Sequence, residues 1–195
     1  MYNCQRCGLL LGYLDSPCPG GCSEHLMVPW QHLLVPFVYQ GPIRDVLLRF
    51  KYQSQPILAK VLAGHWYPYV RNASYLQQDM ILLPVPMHWL KSWRRGYNHA
   101  ALLAEVLSGM CQLNMQSRWF YKKTLGVMQQ GLSRSARLRN LSADDFYVSY
   151  RLNGKTVILI DDVVTTTATI RACTDALLRH GVEAVYVWAL AKTLR

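Results

Sequence analysis

Two groups of residues in this 195-residue chain have the types and spacing to do chemistry. The first is the run Ile158-Leu159-Ile160-Asp161-Asp162-Val163-Val164-Thr165-Thr166-Thr167-Ala168-Thr169. Val157 to Ile160 is a short apolar stretch, rich in β-branched residues, of the kind that fills a buried parallel strand. Asp161 and Asp162 stand where such a strand leaves its sheet, the usual place for ligands in open α/β folds. Thr165, Thr166, Thr167 and Thr169 then surround the start of a helix, where unpaired amides and the helix dipole favour a phosphate. Carboxylates for sugar hydroxyls beside amides for phosphate describe a ribose-phosphate site. The plainer reading of the same run is a strand that ends in two solvated acids before a hydroxyl-capped helix.

The second group is Cys4, Cys7, Cys18 and Cys22, a Cys-x2-Cys pair and a Cys-x3-Cys pair separated by ten residues. Two such pairs in a chain with no visible secretory signal predict tetrahedral Zn2+ ligands rather than disulfides. Gly8, Pro19, Gly20 and Gly21 let the chain turn amides toward the sulfurs. The intervening segment is too short for a core of its own, so the metal would supply its folding energy. Four thiolates leave no open coordination position, which makes the zinc structural. Reduced thiols without metal are the alternative. His25 and His32 are reserve ligands, while Cys111 and Cys173 fall in apolar helical patterns and are expected in the core.

Charge sharpens the picture. The net charge is +10, and almost all of it falls between Met80 and Ala143, where nine Lys/Arg face one acid, Glu105. These cations are Lys91, Arg94, Arg95, Arg118, Lys122, Lys123, Arg134, Arg137 and Arg139. Such focusing suits a polyanion, either pyrophosphate or nucleic acid, and an ordinary solvated basic face is the plain alternative. Half of the residues are hydrophobic, which excludes a disordered chain. No uncharged apolar run reaches the length of a membrane span, and a cytoplasmic location is expected.

Elements that alternate between strand and helix must position these groups. Gly41-Pro42 precedes a helix with Ile43, Val46, Leu47 and Phe50 on one face, continuing after Pro56 toward Trp66. Met80 to Val85 reads as a strand, followed by a basic loop and a helix from Ala100. Arg118 to Lys123 and Asp145 to Tyr150 read as short strands. Gly154 to Val164, Ile170 to His180 and Ala184 to Ala191 complete a strand-helix-strand unit. The alternation predicts an α/β fold with a parallel sheet flanked by helices. A small N-terminal module at residues 1–38 would precede a main domain at residues 39–195.

The Asp-Asp-threonine run resembles the ribose-phosphate signature of type I phosphoribosyltransferases, with Thr167 where that family usually has Gly. Pro84-Val85-Pro86 followed by Arg95-Gly96-Tyr97-Asn98 resembles the corresponding motifs of ComF/GntX proteins. So do Gln129, Leu132, Ser133, Arg137 and Asn140, and the Leu48-Arg49-Phe50-Lys51 helix. With the cysteines, the resemblance spans essentially the whole chain in order. It implies a zinc-finger-like Cys4 module on a type I phosphoribosyltransferase-like sheet, in a protein associated with uptake of transforming DNA.

The resemblance implies that Asp161 and Asp162 hold the ribose hydroxyls of phosphoribosyl pyrophosphate and that Thr165 to Thr169, Ala168 included, wrap its phosphate. Gly at position 167 would permit positive φ and close approach, which a β-branched residue resists. Lys91, Arg94 and Arg95 would neutralise pyrophosphate, and Asn98 is either a ligand contact or a helix cap. Two roles follow. One is a Mg2+-dependent transferase acting by positioning and charge stabilisation. The other is a DNA-uptake protein that binds single-stranded DNA through Lys122, Lys123, Arg134, Arg137 and Arg139. Trp89, Trp93, Tyr97, Trp119, Phe120 or Tyr121 would stack on its bases. The cysteine module would then also offer a docking element for other DNA-uptake proteins.

Overall fold

The computed structural model describes residues 2–4, 6–8, 10–11, 18, 28–53, 55–87, 97–123 and 142–193. In chain order the elements are β1 (Tyr2–Asn3), β2 (Leu10–Leu11), β3 (His32–Leu34), β4 (Phe37–Val38), α1 (Gly41–Tyr52), α2 (Leu58–Arg71) and β5 (Ile81–Pro84). Then come α3 (His99–Cys111), β6 (Asn114–Met115), β7 (Phe120–Lys122), β8 (Phe146–Val148), β9 (Thr156–Val164), α4 (Ala168–Arg179) and β10 (Ala184–Lys192).

A six-stranded parallel sheet runs in the order β3-β10-β9-β5-β6, with β4 also pairing β10. The nine-residue strands β9 and β10 form its centre. Their apolar runs are buried on both faces, as a parallel sheet covered by helices requires. Alternation along the strands divides the core in two. Ile158, Ile160, Trp188 and Leu190 pack under α1, α2 and α3 with Phe50, Trp66 and Leu103. Val157, Leu159, Val187 and Ala189 pack on the opposite side with Ile170, Cys173 and Leu177 of α4. Each large apolar side chain so buried contributes about 1.5–3 kcal/mol.

Two differences from the sequence expectation stand out. The helix starting at Gly41 stops at Tyr52 and a second one begins at Leu58, because the residue before Pro56 is disfavoured in helical conformation. The strands expected at 118–123 and 145–150 do not join the parallel sheet; β7 and β8 pair antiparallel with each other. Phe120, Phe146 and Val148 turn inward while Tyr121 and Tyr147 turn out, the pattern of a half-buried antiparallel ribbon. Within the main sheet, β3 and β4 both pair with β10.

Candidate functional site

The acid pair lies within β9, which runs four residues beyond Ile160. Asp161 is in register with Ala189, and pairing continues to Val164 opposite Lys192. The acids are therefore held by the central ladder rather than by a loop. Asp162 is buried and Asp161 half-buried.

Lys51 reaches this pair from the last turn of α1. Its Nζ lies 2.9 Å from Asp162 Oδ2, with side-chain exposures of 15% and 13%. Leu47 and Phe50 are fully buried and fix the helix face that delivers it. The Tyr97 hydroxyl donates to the Phe50 carbonyl at 2.6 Å, tying the next residue in the chain before Lys51 to the start of α3. Asn98 resolves the two readings of that position in favour of a cap. Its Oδ1 accepts from Ala100 N and Ala101 N, and its Nδ2 donates to the Val85 carbonyl at 3.2 Å. Val85 N in turn donates to Ile160 O at 2.8 Å. The Tyr-Asn pair thus joins α1, β5 and β9 around the acids, and buried His99 packs edge-on against Phe50 with ring centroids 5.0 Å apart.

Asp161 Oδ1 accepts from Asp162 N at 2.8 Å. Burial, then the neighbouring Asp162 charge, push the Asp161 carboxyl up to about 8; a hydrogen bond between the two carboxyls adds to this, while the Asp162 amide and Lys51 act against it. Burial thus favours the protonated form of Asp161, while Asp162 pairs with Lys51. A carboxylic acid that can donate beside a carboxylate that can only accept suits two vicinal hydroxyls. The same arrangement fits a divalent cation poorly. Asp162 Oδ2 already faces an ammonium, and burial favours the protonated form of Asp161, a poor metal ligand.

The threonine turn follows directly. Thr165, Thr166 and Ala168 are exposed; Thr167 and Thr169 are half-buried. Thr167 is the N-cap of α4 with φ −78° and ψ 1°, and its side chain makes no capping hydrogen bond. The residue expected to resist this turn therefore sits in ordinary backbone space, and the strain foreseen from its β-branch does not arise. The first intrahelical bond, Arg171 N to Thr167 O at 2.8 Å, leaves the amides of Ala168, Thr169 and Ile170 ahead of it.

Behind Asp161, Cys173 on α4 is fully buried, as expected from its apolar pattern, and Cys111 is buried too. Burial raises the Cys173 thiol well above its usual range; the Asp161 charge adds to this and Lys122 opposes it. Lys122 is half-buried, while Lys123 and Arg118 are exposed. The adjacent lysines thus face different surroundings: Lys122 lies on the inward side with Phe120, near the α4 face of the acid pair. On the outer side, Tyr121 and Tyr147 stand opposite each other with rings stacked at 4.6 Å, 46% and 39% exposed. Tyr150 is exposed nearby, and the Arg151 guanidinium lies 5.6 Å from the Trp119 ring centre. Phe120, offered as a stacking surface, is instead core.

The sulfurs of Cys4, Cys7 and Cys18 lie within 4.8 Å of one another, with Cys7 and Cys18 3.4 Å apart. Sulfurs about 2.3 Å from a tetrahedral centre would be separated by about this much, so three soft donors here could bind a metal. Gly8 N donates to Cys4 O at 2.7 Å, closing the turn. Gly8 has φ +75°, and a Cβ there would meet Val35 at 3.0 Å and Leu33 at 3.2 Å, so only glycine fits. His32 is not with the sulfurs; it sits on β3, its ring 4.9 Å from that of Tyr75.

Lys91, Arg94, Arg95, Arg134, Arg137, Arg139 and Cys22 lie outside the described residues, as do Trp89, Trp93, Gln129 and Asn140. Among the described residues, no helix is long and apolar enough to cross a membrane. Sequence reasoning missed Lys51 as a site residue. The signal available was its place in the Leu-Arg-Phe-Lys motif.

The phosphoribosyl transferase domain profile matches residues 93–194. Competence protein F of Haemophilus influenzae is 32% identical over 97% of this chain and 84% of that protein. DNA utilization protein YhgH of Escherichia coli is 31% identical over 98% of this chain and 84% of that protein. A hypoxanthine phosphoribosyltransferase from Staphylococcus aureus superposes with a TM-score of 0.44 at 9% identity, over 72% of this chain and 76% of that one. With the domain profile covering more than half of its length and full-length relatives at about a third identity, the chain belongs to the ComF/GntX family of phosphoribosyl transferase-domain proteins.

Proposed function

We propose that this protein binds a ribose 5-phosphate group, as phosphoribosyl pyrophosphate or a nucleotide-like ligand, and acts in the uptake of transforming DNA. The observation that carries the pocket is the acid pair held in the central strand immediately before the threonine turn. Asp161 and Asp162 hold the ribose hydroxyls, while Thr165, Thr166, Thr167 and Thr169 with the first α4 amides hold the phosphate. Lys91, Arg94 and Arg95 would meet a pyrophosphate. The names of the two full-length relatives, a competence protein and a DNA utilization protein, support the role.

Single-stranded DNA would follow the basic middle third, including Lys123, Arg134, Arg137 and Arg139. The exposed Tyr121–Tyr147 pair offers a surface on which bases can stack. Lys122, on the inward side of the ribbon, is better placed to act near the pocket than along the strand. The cysteine segment is a structural zinc module completed by Cys22. It is seated on the main domain, where Trp30 Nε1 donates to Arg6 O at 3.1 Å and the Arg171 guanidinium lies 5.8 Å from the Trp30 ring centre.

The test is a calorimetric titration with phosphoribosyl pyrophosphate and with ribose 5-phosphate. Wild type should bind, and Asp162→Asn should lose most of the affinity. No heat with either ligand would reject the pocket.

A further inference from the structure

We infer that Lys51 is a tethered cation occupying the place of a divalent metal at the acid pair, so that this pocket takes a ribose phosphate without Mg2+. The inference rests on the ribose-phosphate reading above and concerns what balances charge at that site. Three observations carry it. Lys51 Nζ is 2.9 Å from Asp162 Oδ2, a distance at which the ammonium donates directly to the carboxylate. Both side chains are largely buried, so the contact is weakly screened and a mobile cation would compete with a charge already in place. Finally, the ammonium is held from behind: Phe50 is fully buried, and its carbonyl accepts from the Tyr97 hydroxyl at 2.6 Å, which fixes the helix turn that presents Lys51.

A hard divalent ion prefers several oxygen ligands in near-octahedral geometry and keeps much of its water. At this pair it would find one carboxylate oxygen facing an ammonium and a second carboxyl whose protonated form burial favours. An ammonium has three donors, so Lys51 can keep Asp162 and still donate to a ligand oxygen. Exchange of the metal for a lysine changes what the pocket responds to. Ligand binding becomes independent of free Mg2+, and removing the lysine should open a divalent-cation site at the acid pair.

The probe is ribose 5-phosphate, titrated into the full-length protein in buffer freed of divalent ions by chelating resin and again with millimolar Mg2+. Wild type should bind with an affinity that changes less than about twofold between the two conditions. Lys51→Met should lose about tenfold or more without Mg2+, the worth of one charge-assisted hydrogen bond, and regain much of it with Mg2+. Lys51→Arg keeps the positive charge and should stay independent of Mg2+. A measurement on the wild type stands apart from any folding defect: electron paramagnetic resonance with Mn2+ should show no bound ion that disappears in Asp162→Asn. Wild-type binding that requires Mg2+, or a bound Mn2+ that depends on Asp162, would overturn the inference and leave the pocket reading intact. Absence of ribose 5-phosphate binding under both conditions would overturn both.

Discussion

Lys51 on α1 and Asp162 on β9 form an ion pair at 2.9 Å between side chains that are 15% and 13% exposed. It joins the helix layer to the central strand at the point where the candidate ligand site begins. Removal of one partner strands a buried charge, which costs far more than the pair contributes. Lys51→Met alone is expected to cost on the order of 3 kcal/mol in urea unfolding, and Lys51→Met with Asp162→Leu to recover most of that loss. Additive losses in the double variant would show that the two residues do not act as a pair.

The raised Asp161 carboxyl makes stability depend on pH in a definite direction. The folded chain keeps a proton up to about pH 8 that the unfolded chain releases near the ordinary value of 3.8. Stability therefore falls as pH rises through that window and levels off above it. Asp161→Asn removes the proton from the balance. Its melting temperature should gain on wild type steadily between about pH 5 and pH 8; parallel curves would remove the basis for a protonated Asp161.

Thr167 occupies backbone space open to any residue, with φ −78°. Thr167→Gly is then expected to leave ribose 5-phosphate affinity unchanged within about twofold. It should lower stability by about 0.5–1 kcal/mol through the greater freedom of the unfolded chain. A tighter complex in the glycine variant would show that the side chain obstructs the phosphate.

Cys4, Cys7 and Cys18 bring their sulfurs within 4.8 Å of one another. Metal analysis of purified protein should return about one equivalent of zinc. Cys7→Ser should release it and lower the melting temperature, because metal binding contributes to folding of so short a segment. Zinc well below one equivalent in protein purified without chelators would reject the site.

The ribbon face separates two kinds of contribution to DNA binding. Lys123→Glu should weaken binding of a single-stranded oligonucleotide and reduce its salt dependence by roughly 0.7 in logarithmic slope for each cation removed. Tyr121→Ala should weaken binding by about 1–3 kcal/mol with the salt slope unchanged. Filter binding over a range of salt reads both, and an affinity indifferent to both substitutions would move the DNA path off this ribbon.

Sequence by itself determined the main architecture and the family. Val157 to Ile160 and Val185 to Ala191 are short apolar runs of the kind that fill doubly covered strands. Gly41-Pro42 marked the start of α1, and the Asp-Asp-threonine order marked the end of the central strand and the turn into α4. Spacing also pointed to the cysteines, of which Cys4, Cys7 and Cys18 bring their sulfurs together. Local pattern could not reveal partners from distant segments. Lys51 and Asp162 are 111 positions apart in sequence, and only α1 packing on β9 makes the cation a neighbour of the acid. The same holds for the separation of Lys122 from Lys123, decided when one face of the ribbon packed inward, and for β3 and β4, too short to show a period and fixed by pairing with β10. Chemistry that depends on what lies next to a residue in the chain was legible; chemistry that depends on what lies across the core was decided by the tertiary structure.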